Sequence, residues 1–203
     1  MDVHSPMRGC IPARKGSAMK SLVEQPATSL KWLKSQTSPP DFELQGGGEV
    51  FATLAFLDDE HLLARVRTAE GVWTLKHLGF LNPVVTLREA GGTTNLATFH
   101  PHALRYGKLQ FLDGATFDWE WFHETGPGGA FLDPGGKPLI RFHAHTGRDL
   151  KSSPEFEQCD VELEPAFSTR LRGAMLAAFG WYLIVFDQLR ERNAVAAETS
   201  LRL

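Results

Sequence analysis

The sequence predicts a mainly β protein, a closed antiparallel β-barrel of about 12 strands that encloses a hydrophobic C-terminal α-helix. From Leu30 onward, apolar and polar side chains alternate with the period of half-buried strands. The chain then reaches the apolar run Ala174–Phe186. At about 1.5 Å per residue this run forms a helix of about 20 Å, which is too short to cross a bilayer. Because a helix that is apolar on all sides has to be surrounded by other apolar groups, the two observations together predict a sheet wrapped around a helix.

The strand segments follow one another at regular spacing, with turn-forming residues between them. The clearest segments are Asp41–Gln45, Glu49–Phe56, His61–Thr68, Val72–His77, Val84–Glu89, Asn95–His100, Lys108–Leu112, Thr116–Phe122, Pro138–Ala144 and Gln158–Glu164. Gly126–Gly129 is predicted as a turn. Asp113–Gly114 predicts a hairpin with a tight two-residue turn, because these residue types adopt positive φ angles.

The alternation assigns one face of each strand to the interior. Ala52, Leu54 and Phe56 point to one side of their strand, whereas Arg65 and Arg67 belong to the polar side of the next. An open sheet of this many strands would expose its edges, and closure into a barrel removes them. A barrel of about a dozen strands leaves a lumen that a helix of about 10 Å diameter can fill.

Length and composition indicate a single domain. The chain has 203 residues, of which 42% are hydrophobic and 22% charged, enough for one sizeable core. A net charge of -3 gives no general attraction to nucleic acid, so we expect no nucleic-acid partner. The two cysteines, Cys10 and Cys159, provide neither a disulfide framework nor metal-site spacing. Together with the absence of a signal-peptide pattern, this favours a cytoplasmic protein without a transmembrane span.

The expected organisation has three parts. Residues 1–29 lack hydrophobic periodicity and are predicted to be a disordered leader. Residues 30–192 form the barrel domain, whose central helix is predicted over about 168–190, with Phe179, Tyr182, Leu183 and Phe186 nearly inaccessible to water. Residues 193–203 are expected to be a flexible tail.

The pattern of strands and helix resembles the Tubby C-terminal-like fold, which includes Tubby-like proteins, phospholipid scramblases and LURP-one-related proteins. The resemblance covers about residues 30–190 and is carried by Glu49–Phe56, Gly71–His77, Thr94–Pro101 and the helical Gly180–Leu183. It implies a 12-stranded barrel threaded by a hydrophobic helix. Tubby domains bind phosphoinositides through basic side chains on the barrel exterior. The chain is most similar to small members of the superfamily that have no assigned function.

Basic side chains on the predicted exterior are the candidate ligand contacts. Lys76 and Arg88 fall on the polar faces of consecutive strands and form the best candidate pair for a phospholipid headgroup, with Arg65 as a third contact. The same kind of exterior could equally bind a protein partner. The remaining candidate contacts are Arg67, Lys108 and Arg141.

Histidine pairs provide an alternative, a metal-dependent enzyme with a cupin-like site. His143 and His145 lie two residues apart, which places both imidazoles on one face of a strand. His100, His102 and His123 are further potential ligands.

Other catalytic patterns are missing from the sequence. It contains no Gly-x-Ser-x-Gly nucleophile elbow, phosphate-binding Gly-Lys-Ser/Thr loop or His-Glu-x-x-His helix. Cys159 lies beside Asp160, whose charge is expected to raise the thiol pKa and make it a poor nucleophile. The sequence therefore favours a non-enzymatic protein without a cofactor.

Overall fold

The computed structural model describes residues 19–24, 29–35, 41–58, 60–79, 81–102, 106–122, 127–146, 156–168 and 172–200. Within these ranges 12 strands form a closed antiparallel barrel, which confirms the predicted fold class. The strands are β1 Ser29–Lys34, β2 Asp41–Gly46, β3 Glu49–Phe56, β4 Leu63–Thr68, β5 Gly71–Leu78, β6 Val84–Glu89, β7 Asn95–His102, β8 Tyr106–Phe111, β9 Thr116–Phe122, β10 Gly128–Leu132, β11 Pro138–Thr146 and β12 Phe156–Leu163. Two helices follow, α1 Pro165–Ser168 and α2 Gly173–Ser200.

Each strand pairs with its neighbours in sequence, and β1 pairs with β12 to close the barrel. Leu30 lies opposite Val161, and Trp32 lies opposite Cys159, at this closing seam. All four side chains are buried, with at most 1% of their surface exposed. The seam is therefore stabilised by the same inward apolar face as the rest of the sheet.

The first half of helix α2 lies inside the barrel. Trp181 stacks on Trp32 of β1 with ring centroids 6.5 Å apart. Two residues earlier, Phe179 contacts Phe99 of β7 and Phe131 of β10 at 6.1 and 6.3 Å. Because β1 and β7 lie on opposite sides of the closed sheet, the helix has strands on both flanks. Burial of each such side chain stabilises the fold by about 1.5 to 3 kcal/mol.

The helix differs from its predicted bounds of about 168–190 at both ends. It begins at Gly173 and continues to Ser200, so most of the segment expected to be a flexible tail is helical. Phe179, Tyr182 and Leu183 are buried as predicted. The prediction that Phe186 is nearly inaccessible to water was wrong, because this side chain lies where the helix leaves the barrel and is partly exposed.

Gly180 is explained by a close approach in the lumen. A Cβ atom on this residue would lie 2.5 Å from Cε2 of Phe142 and 3.1 Å from Cζ3 of Trp119. Both rings are almost fully buried, with no more than 1% exposed. The interior therefore requires glycine here despite its low helix propensity.

Part of the range assigned to the disordered leader is packed against the barrel. The backbone N–H of Lys20 donates to the carbonyl of Val50 at 2.8 Å. Leu22 is only 1% exposed and belongs to the hydrophobic core. An isolated leucine carries no periodicity, so the sequence pattern did not indicate this contact. Residues 1–18 lie outside the described part of the chain.

Two local predictions need correction. The hairpin at Asp113–Gly114 is present, but Phe111 N–H donates to the carbonyl of Ala115, so three residues form the loop and only Gly114 has a positive φ, at 87°. Gly128 and Gly129 belong to strand β10 instead of a turn. The ring of Trp119 occupies the space that a Cβ on Gly129 would need, which explains glycine at this inner strand position.

Candidate functional site

The outer surface of strands β4, β5 and β6 carries a group of cations that we call the basic face: Arg65 and Arg67 of β4, Lys76 of β5 and Arg88 of β6. The period-two alternation places these side chains outside, because their neighbours Val66, Leu75 and Leu87 point into the core. The first three cations are exposed, and Arg88 is partly buried.

The strand register brings the three predicted headgroup residues together. Arg65 and Arg88 both lie opposite Thr74, one on each side of β5. Adjacent strands are about 4.8 Å apart, so the two arginine Cα atoms are separated by about 10 Å. Lys76 is two residues beyond Thr74 and is therefore the diagonal neighbour of both arginines, about 7 to 8 Å away. Long side chains can bridge this triangle and meet over one anionic group.

No carboxylate in the described part of the chain neutralises the charges of the basic face. Within the described ranges, no Asp or Glu forms an ion pair with Arg65, Arg67 or Lys76. Arg88 donates through Nε to the amide oxygen Oδ1 of Asn95 at 2.6 Å. Because the amide is neutral, this hydrogen bond orients the guanidinium group and leaves its positive charge in place.

The remaining basic candidates lie in different surroundings. Lys108 of β8 pairs with Asp118 at 3.4 Å. Arg141 of β11 lies opposite Glu162 in the register of β11 and β12. Neither residue belongs to β4–β6, so the structure separates these two cations from the predicted trio.

The histidine pairs lie on separate parts of the outer surface. His100 and His102 belong to β7, whereas His143 and His145 belong to β11, with three strands between them. Four strand spacings correspond to about 19 Å along the sheet, well beyond the reach of one metal ion. A search of the described residues finds no group of three or more His, Cys, Asp and Glu side chains that could hold a metal.

Individual histidines on β11 have other neighbours. His145 Nε2 lies 2.8 Å from Oδ2 of Asp160, which also pairs with Lys31 at 3.2 Å. These two neighbours hold the pKa of Asp160 below its usual value, against the opposing effect of partial burial. His143 packs its ring against Phe122 at 5.5 Å. The further predicted ligand His123 lies outside the described residues.

The thiol of Cys159 is unsuited to nucleophilic chemistry, as the sequence predicted. Burial, more than the nearby charge of Asp160, raises the pKa of this thiol far above its usual value. Its Sγ donates to the carbonyl oxygen of Asp160 at 3.3 Å. A thiol that stays protonated at neutral pH is a poor nucleophile.

A cavity that sequence analysis did not predict opens at the end of the barrel where α2 emerges. We call it the mouth cavity; its volume is about 120 Å³. Buried Phe99 and Leu183 contribute to its wall, together with three polar side chains, His77, Asp187 and Arg190. The one sequence signal was the change from apolar to charged residues after Phe186, which marks where the helix leaves the core.

The described part of the chain has no helix with the length and hydropathy needed to span a bilayer. In comparisons with protein-family models, curated proteins and solved structures, the chain gave no match.

Proposed function

We propose that this protein is a non-enzymatic, cytoplasmic binding module whose basic face recognises the headgroup of an anionic phospholipid. The observation that supports this most directly is the triangle of Arg65, Lys76 and Arg88, whose charges have no carboxylate partner among the described residues. The resemblance to the Tubby C-terminal-like fold favours the same function, since Tubby domains bind phosphoinositides on the barrel exterior.

The arrangement of charge suits an anionic surface. Across the barrel from β5, the wall of β11 and β12 carries charges of both signs, with Asp160 paired to Lys31 and Glu162 lying opposite Arg141. A protein whose cations without a carboxylate partner lie on one wall is oriented by a negatively charged membrane, so that this wall approaches first. This local asymmetry matters because the whole chain has a net charge of only -3.

The binding free energy that the basic face can supply favours a headgroup with several phosphates. Each Lys or Arg near an anionic surface contributes about 1 kcal/mol, so the four cations of the basic face supply about 4 kcal/mol. That free energy corresponds to a dissociation constant of about 1 mM. Tighter binding requires that Arg65, Lys76 and Arg88 converge on one multiply charged group, where arginine forms paired hydrogen bonds to phosphate oxygens.

The test is co-sedimentation with phosphatidylcholine vesicles that contain a phosphoinositide, at low and high salt. Wild-type protein should bind the phosphoinositide vesicles, bind less at high salt, and ignore pure phosphatidylcholine. Lys76→Glu combined with Arg88→Glu should abolish binding. Because Arg88 is partly buried and bonded to Asn95, the variant Arg65→Glu/Lys76→Glu, which changes two exposed residues, provides an independent measurement.

A matched control reverses two exposed cations elsewhere, Lys108→Glu and Lys137→Glu. Both are already paired, with Asp118 and Glu164, so their reversal should leave vesicle binding close to that of the wild type. The exposed double variant should melt near the wild-type temperature, since surface substitutions cost about 0.5 kcal/mol or less. Failure of the wild type to bind anionic vesicles at low salt would overturn the proposal. Binding of an acidic peptide in that case would reassign the basic face to a protein partner.

A further inference from the structure

The mouth cavity lies where the aromatic filling of the barrel ends. Its inner part is apolar, with Val85 and Phe99 of the sheet and Leu183 of α2, all at most 3% exposed. Phe186 also contributes to the wall and stacks on His77, with ring centroids 4.4 Å apart. The cavity is thus an apolar cleft between the emerging helix and the ends of several strands.

The volume limits what the cavity can hold. At about 120 Å³ it is slightly smaller than cavities of about 150 Å³ that bind benzene. The apolar part of a ligand is therefore about the size of one ring or a short branched chain. A long acyl chain exceeds this space.

Polar groups occur on the wall and at the outer end. Arg190 is exposed, and among the residues described no carboxylate forms an ion pair with it. Asp187, one turn earlier on the same helix, also lines the cavity and makes an interaction of its own. Trp121 also lines the cavity, and its indole N–H is buried without a hydrogen-bond acceptor in the described chain. An available cation and an unsatisfied donor both favour a ligand with an anionic oxygen group.

His77 completes the polar part of the wall. Burial, assisted by the positive charge of Arg190, lowers the pKa of its imidazole, so the neutral form of the ring predominates at pH 7. A neutral imidazole can donate one hydrogen bond without adding a second positive charge.

We infer that the mouth cavity binds a small carboxylate with a single-ring or short branched apolar body, whose carboxylate pairs with Arg190 while the body packs among Phe99, Leu183 and Phe186. The site is independent of the basic face, which lies on the outer wall of β4–β6. Either binding activity can therefore fail without affecting the other.

The experiment is an NMR titration of the ¹⁵N-labelled protein with phenylacetate, followed at the indole N–H signal of Trp121. That signal is assigned from its loss in Trp121→Phe. Phenylacetate should shift it in a saturable manner. Three further probes separate the contributions: benzyl alcohol has the ring without the charge, acetate has the charge without the ring, and decanoate has a chain too long for the cavity. All three should bind at least about tenfold more weakly, a difference that corresponds to about 1.4 kcal/mol.

Two variants test the assignment of residues. Arg190→Gln changes an exposed position and should weaken phenylacetate binding about tenfold without altering the affinity for benzyl alcohol. The control Lys137→Gln removes a cation that is paired with Glu164 and should change neither affinity. Absence of a saturable shift with phenylacetate would overturn the inference. Equal binding of phenylacetate by the wild type and Arg190→Gln would overturn the pairing of the ligand carboxylate with Arg190. Tighter binding of decanoate than of phenylacetate would overturn the size limit of the cavity.

Discussion

Replacement of Gly180 by alanine tests whether the helix and the sheet are packed as tightly as the structure shows. The new methyl group would lie 2.5 Å from Cε2 of Phe142, about 1 Å closer than an ordinary carbon–carbon contact. Phe142 cannot easily yield, because it is fully buried and packs on Trp119 with ring centroids 5.6 Å apart. Overpacking of this kind costs about 1 to 3 kcal/mol. Alanine regains about 1 kcal/mol through its higher helix propensity, so we expect a net loss of up to about 2 kcal/mol.

Urea unfolding followed by tryptophan fluorescence measures this loss, and a thermal melt should fall by about 2 to 4 °C for each kcal/mol. Gly173→Ala is the matched control. A Cβ at Gly173, at the start of the same helix, would lie 3.6 Å from its nearest neighbours, an ordinary contact. This variant should be as stable as the wild type or slightly more stable.

A double-mutant cycle with Phe142→Leu distinguishes a steric conflict from other causes. The smaller leucine leaves room for the methyl group, so Phe142→Leu should cost less in the Gly180→Ala background than in the wild type. Residues in direct contact show coupling energies of about 0.5 to 3 kcal/mol. A coupling energy near zero, or a Gly180→Ala variant more stable than the wild type by the full propensity gain, would refute the reasoning.

Two further predictions concern the helix and one strand end. Deletion of α2 from Gly173 onward should abolish soluble folding, because the inner faces of the strands lose their apolar partner; a truncated protein with a cooperative melt would contradict this. Because the pKa of His77 is lowered in the folded protein, the unfolded chain binds a proton at this residue more readily as the pH falls below 6.5. Titration of His77 therefore lowers the free energy of unfolding on the acidic side of pH 6.5 and has little effect at higher pH. His77→Gln should therefore lose less stability than the wild type between about pH 7.5 and about pH 5.5 in urea unfolding, and an equal loss would show that the charges of Asp187 and Arg190 or other groups dominate.

The strand pattern was predictable because the inner and outer faces of the barrel differ sharply in polarity. Segments such as Glu49–Phe56, Val84–Glu89 and Thr116–Phe122 have the same bounds in the sequence prediction and in the structure. β10 could not be predicted in this way, since Gly128 and Gly129 carry no side chain to alternate. Glycine fits these two strand positions because aromatic rings from β9, Phe122 and Trp119, occupy the space that a Cβ atom would need.

The candidate sites likewise combine features that the sequence pattern predicts with features that depend on contacts between distant residues. Alternation placed Lys76, Arg88 and Arg65 on the outer face, but their triangle depends on the register of β4, β5 and β6, which the turn lengths set. The mouth cavity has only one local signal, the change from apolar to charged residues after Phe186. Its wall combines residues from β5, β6, β7 and β9 with the end of α2, and only the closed barrel brings these elements together.

The position of α2 in the chain has a consequence for biosynthesis. The helix that fills the lumen lies C-terminal to all 12 strands of the barrel, and the closing seam joins β1 to β12. When β1–β11 have left the ribosome, their inward apolar side chains therefore have neither α2 to pack against nor β12 to complete the sheet. Such intermediates expose strand edges and hydrophobic surface, which favours aggregation. Closure and filling of the barrel have to wait until α2 is synthesised, and we expect the unfinished chain to be prone to aggregation until then.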